Sequence, residues 1–270
     1  MMRLLRIEWH KIGNNRTFKV LSIIYLVVIA IISIGVMPFF KWIDRKFVES
    51  GATEMEIMTN LPFYEFPDIW QNLSFVAIYF KVFLALAVVY AITNEYNYRT
   101  IRQNVIDGLS KHEFIWSKVI MAGALSIAGA LTLFAFGMFT GLIYSYDLSI
   151  SAIFSDIFFL GVFAIQLFVY LLFVMMLATL IKKPLLTFAL MFILAITELV
   201  IFGRSEAANF QWAQDLLPLT TINKLNSFPF TKYAFQEIQD YVKFKELILV
   251  LVYGVLFYLG TIRLTVKRDL

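Results

Sequence analysis

The feature that most constrains this chain is the alternation of apolar stretches with short blocks that hold nearly all of the charge. Each stretch is about 20 residues long, the length of helix that crosses a bilayer core. Lipid offers no water to satisfy a backbone amide, so each stretch must close its own hydrogen bonds as a helix. Six spans are predicted, at Val20–Met37, Leu73–Thr93, Val119–Tyr144, Phe154–Ile181, Leu185–Phe202 and Leu247–Leu264. The expected fold is all-α: a polytopic membrane protein with six transmembrane helices, in which residues 1–270 make a single transmembrane domain. A hydrophobic content of 60% agrees, being well above the roughly 45–50% of soluble domains. The run beginning at Val20 is long enough to span and has no small-x-small cleavage site after it, so the N-terminus is expected to stay in the mature protein.

The net charge of +4 does not point to nucleic acid, because the Lys and Arg residues flank the spans, where lipid headgroups are their natural partners. Arg3, Arg6, Lys11, Arg16 and Lys19 precede span one, Arg99, Arg102, Lys111 and Lys118 lie between spans two and three, Lys182 and Lys183 follow span four, and Arg263, Lys267 and Arg268 close the chain. All of these fall on one side, and the positive-inside rule makes that side cytoplasmic, both termini included. The loop after span one mixes Lys41, Arg45 and Lys46 with Glu49, Glu54, Glu56, Glu65 and Asp68, and is expected outside.

Two cytoplasmic segments carry helical patterning. At 100° per residue Met1, Leu5, Trp9 and Ile12 share one face and Arg3, His10 and Lys11 the other, which predicts an amphipathic helix lying in the membrane interface. Gly13-Asn14-Asn15 then breaks it before span one. Between spans two and three, Ile101, Val105, Ile106 and Leu109 recur at helical spacing, Gly108 suits a left-handed stop, and Ser110 with Glu113 forms a capping box for the next helix. A connection with two such caps reads as a docking surface rather than a plain link.

With Glu95 and Thr100 in a Glu-x4-Thr pattern, the Gly-Leu-Ser-Lys turn at Gly108–Lys111 and Lys118 opening span three, these segments resemble the membrane subunits of type-2 ATP-binding-cassette exporters, in the separate-subunit form found in bacteria. The resemblance implies a permease in the bacterial cytoplasmic membrane that forms the substrate pathway as a dimer with a second copy of itself. It also implies a coupling helix between spans two and three that meets a cytoplasmic ATPase subunit, with Glu95, Arg99, Thr100, Gln103, Ile106, Asp107, Gly108, Ser110 and Glu113 as the coupling residues. ATP and magnesium would be bound by that partner, and this chain would carry no cofactor.

The chain's own chemistry is sparse. It has no Gly-x4-Gly-Lys-Ser/Thr phosphate loop and no Gly-x-Ser-x-Gly elbow. His112-Glu113 starts like a zincin motif, but position 116 is Trp and the other histidine is His10, so neither metal nor catalytic residues are expected. Cysteine is absent. Lys81 and Glu198 fall inside spans two and five, where an ionisable group is costly unless it pairs or snorkels; each reads as a pathway residue or as a side chain reaching for the outer interface. Gly137 and Gly141 have the spacing that lets helices approach, within one subunit or across a dimer seam. Leu216–Ile222, before span six, reads either as a re-entrant segment or as a surface helix. A membrane scaffold or sensor that moves no substrate, and an ion-coupled transporter using Lys81 and Glu198, are the alternatives that the residues leave open.

Overall fold

The computed structural model describes residues 15–50, 63–98, 110–207, 210–227 and 241–267, together with positions 103, 106, 108 and 229. All regular structure among the described residues is helical. Six helices are long and apolar enough to cross a membrane: Arg16–Ile43, Ile69–Asn97, Lys111–Tyr144, Ile150–Ile181, Pro184–Ser205 and Phe244–Val266. The fold is that of a multi-pass membrane protein. Each helix outruns its predicted apolar stretch, because a helix does not stop where the hydrocarbon does. The first continues through Lys41, Arg45 and Lys46 to Glu49, and the third begins eight residues before Val119, at Lys111.

Span four is the hub and packs against spans two, three, five and six, with Phe163, Leu167, Leu171, Val174 and Ala178 all buried. Span one lies at the periphery. Phe18, Tyr25, Ile29, Ser33 and Met37 repeat at helical spacing on its buried side, while Ile23, Val27, Ile31 and Ile34 face outward. An outward apolar face is what lipid as solvent requires, so these residues call for no further partner.

The segment 63–68 staples the end of the bundle to which span one leads. Tyr64, 1% exposed, donates its hydroxyl to the Ile32 carbonyl at 3.2 Å and accepts the Val36 N–H at 3.1 Å, entering the helical ladder of span one two residues before Pro38. Pro38 brings no N–H of its own, so the ladder is already interrupted there, and an inserted side chain of this kind is a recognised cause of helix bending. Burial pushes the Tyr64 phenol up to about 12, so it remains a donor in neutral water. The Ser145 hydroxyl accepts the Phe66 N–H and donates to the Tyr64 carbonyl, and Trp70 donates its indole N–H to Ile153 at 2.7 Å.

These aromatic rings settle what the span-three glycines do. A Cβ on Gly137 would lie 2.8 Å from Trp70, and one on Gly141 would run into the Phe66 ring. Gly129 likewise faces Tyr25 and Leu167. The close approach is made within the chain, and it takes away the dimer seam as a reading of Gly137 and Gly141.

The opposite end of the bundle gathers the start of span three, the end of span two, the turn after span four and the end of span six. Lys111 donates to the Val266 carbonyl at 3.3 Å, and Lys182 lies over the Tyr96 ring at 4.7 Å. Lys111, Lys118 and Lys182 therefore share one end of the molecule.

Candidate functional site

Two polar sites stand out against the apolar bundle. The first is built around a seven-residue helix, Pro218–Lys224, wedged among spans four, five and six with Leu219 and Ile222 buried. Proline at its first position supplies a preset φ where no intrahelical N–H bond is lost. No side chain of its own caps it, and the spans supply the missing partners. Glu198 of span five, 8% exposed, accepts the Leu219 N–H at 3.2 Å, the Thr220 N–H at 2.8 Å and the Thr220 hydroxyl at 3.1 Å. Its charge also complements the positive end of the short helix. At the other end Gln166 of span four, fully buried, donates to the Ile222 carbonyl at 2.7 Å and to the Asn223 carbonyl at 3.4 Å. These are carbonyls that a helix C-terminus leaves without an internal donor.

Lys81 meets the same helix from span two. Its ammonium donates to Asn223 Oδ1 at 2.6 Å and sits 4.4 Å from the centre of the Tyr170 ring, a cation–π distance. It closes a 3₁₀ turn, Ile78–Lys81, set between the two α-helical halves of span two. Further strapping comes from Asn226 to the Gln71 carbonyl, and from Tyr253 and Lys245 of span six to Asp215. The wedge roofs a cavity of about 1080 Å³, which Lys81, Glu198, Tyr170 and Asn223 all line.

The structure thus brings Lys81 and Glu198 to one cavity and corrects the snorkelling reading of both: each is spent on a protein partner, Lys81 on Asn223 and Glu198 on two backbone amides. Leu216–Ile222 is likewise no free surface helix, since Leu219, Thr221 and Ile222 are buried. Sequence reasoning missed Gln166, Tyr170 and Asn223. A glutamine inside an apolar span was a readable sign of an inward-facing polar contact. Nothing in the sequence pairs Lys81 with a residue 142 positions away.

The second site lies roughly 20 Å further along span two, at the end where the cations gather. Glu95 receives a hydrogen bond from Lys118 at 2.8 Å, with the two side chains 11% and 3% exposed. This ion pair locks the end of span two to span three. Ser110 and Glu113 form a full capping box: the Ser110 hydroxyl accepts the Glu113 N–H at 3.2 Å, and the Glu113 carboxylate accepts the Ser110 N–H at 2.9 Å. Gly108 adopts φ +88°, in the left-handed region that favours glycine. Gln103 and Ile106 are exposed helical positions. Arg99, Thr100 and Asp107 of the expected coupling helix, and Leu5, Trp9 and Ile12 of the expected interfacial helix, lie outside the described residues.

Among the described residues no group of three or more His, Asp and Glu is arranged to hold a metal ion. Set against known proteins, the chain matches no protein-family model and no curated protein.

Proposed function

We propose that the chain is the permease subunit of an ATP-driven exporter of the type-2 ATP-binding-cassette kind. It works as a dimer in the bacterial cytoplasmic membrane, with separate ATPase subunits that bind ATP and magnesium. The observation that carries this reading is the course of span two. It runs from the buried Lys118–Glu95 pair, beside the loop that precedes span three, to Lys81 in the polar cavity. A push on the loop displaces two helices held together by a buried ion pair, and one of them bears the cavity's lysine. Such a path of rigid, packed elements is what coupling between separated sites needs. The cation-rich end, holding Lys111, Lys118 and Lys182, faces the cytoplasm on this reading, so the ATPase meets the loop there.

The test is purification of the tagged chain in a mild detergent, with identification of the chains that come with it. Recovery of a protein with a phosphate-loop motif supports the reading, and recovery of the chain with no ATPase under conditions that preserve known assemblies refutes it. Ion-coupled transport is the second reading, favoured by the single fact that Lys81 and Glu198 line one cavity. Substrate movement in vesicles that hold an ion gradient but no ATP selects it instead.

A further inference from the structure

The cavity beneath the short helix holds its charges unevenly. Three carboxylates line it, and each is engaged: Glu198 by the helix amides, Asp215 by Lys245 at 2.5 Å, and Glu246 by Lys243 at 3.9 Å. Two further lysines line it, and both donate to neutral amide oxygens, Lys81 to Asn223 and Lys224 to Gln214. Each ammonium also rests near an aromatic ring, Tyr170 for Lys81 and Phe202 for Lys224. A charged oxygen makes a hydrogen bond to ammonium about twice as strong as a neutral one does, so a phosphate or carboxylate that displaces the amides gains on both contacts.

Apart from Glu198, the lining that span five supplies is apolar. Met191, Ala195, Leu199 and Phe202 follow one another at helical spacing along a single face of span five. Leu199 is 69% exposed while lining the cavity, so this face opens to the outer surface of the bundle. At about 1080 Å³ the space is too large for a headgroup alone and suits a headgroup with its chain.

We propose that this cavity binds an anionic amphiphile, its phosphate or carboxylate head between Lys81 and Lys224 and its hydrocarbon chain along the Met191–Phe202 face of span five. The inference names a cargo class for the pathway proposed above and rests on that reading.

The test titrates the purified full chain in dodecyl maltoside with dodecyl phosphate, dodecyltrimethylammonium and inorganic phosphate, each read against empty micelles. Dodecyl phosphate is expected to bind, with inorganic phosphate and the cationic amphiphile each at least about tenfold weaker. Asn223→Asp leaves Lys81 in place but gives it a carboxylate, and Lys224→Gln removes the second charge; each should weaken dodecyl phosphate by about tenfold. Lys41→Gln, outside the cavity lining and over the Tyr144 ring, should leave binding unchanged. Each variant must elute as the wild type does on gel filtration. Equal binding of the anionic and cationic amphiphiles, or wild-type affinity in both Asn223→Asp and Lys224→Gln, overturns the site. Equal binding of inorganic phosphate overturns the amphiphile. Because ATPase recovery is measured on the same preparation, recovery without dodecyl phosphate binding refutes the cargo class alone, while binding without recovery refutes the permease reading.

Discussion

Glu198 caps the Pro218–Lys224 helix from a neighbouring span, and Glu198→Leu measures what that cap is worth. The substitution keeps bulk in the bundle but leaves the Leu219 and Thr220 amides and the Thr220 hydroxyl without their acceptor. A buried donor stripped of its partner costs about 1–3 kcal/mol, so two amides put the loss at roughly 2–6 kcal/mol. Relief from burying a carboxylate returns part of this, which places the expected loss near 2–4 kcal/mol. The cost is local, because the wedge can open while the spans stay packed. Hydrogen exchange of a peptide covering Leu216–Leu225 reads it directly. At about 1.4 kcal/mol per decade, a loss of 2 kcal/mol accelerates exchange roughly 30-fold. Glu198→Gln keeps an acceptor and should fall between the two. Exchange at the wild-type rate in Glu198→Leu would refute the capping role.

Three further outcomes follow from the same contacts. Tyr64→Phe removes the hydroxyl lodged between Ile32 and Val36 and should lower stability by about 1–2 kcal/mol in thermal unfolding of the detergent-solubilised protein. Gly141→Ala drives a methyl into the Phe66 ring and should cost about 1–3 kcal/mol in the same assay, whereas Gly161→Ala, with open space around it, should cost almost nothing. In a chain without native cysteine, Ser151→Cys and Ser227→Cys should react with a membrane-impermeant thiol reagent applied outside, and Ser110→Cys only after permeabilisation; outside labelling of Ser110→Cys refutes the orientation.

The spans were legible because hydropathy over about 20 residues is a strong, local signal. Their ends were less so: Ile69–Asn72 opens span two ahead of the predicted Leu73 because Gln71 and Asn72 are buried, with the Asn72 amide donating to the Phe63 carbonyl, which no hydropathy window registers. The capping box at Ser110 and the left-handed Gly108 could be read directly, since each depends on residues only a few positions apart. Lys81 and Glu198 stood out because charge in an apolar run is costly, yet their partners did not. Asn223 and Thr220 lie in a segment whose packing is decided by the spans around it, at 142 and 22 residues' separation. Gly137 and Gly141 announced a close approach without saying to what; Trp70 and Phe66 answer it from distant chain positions.

On the proposed function, the loop between spans two and three passes force from an ATPase to the cavity. Ile106, 72% exposed at a helical position of that loop, is the place to test it. Ile106→Pro removes a backbone donor and clashes with the preceding turn, a cost of about 3 kcal/mol inside a helix, at a site away from the buried bundle. ATPase recovery, ATP hydrolysis and substrate movement are to be measured together on this variant. The variant is expected to insert and elute normally but to recover little ATPase, or to retain it with hydrolysis no longer tied to transport. Wild-type values for all three would refute the coupling role of the loop.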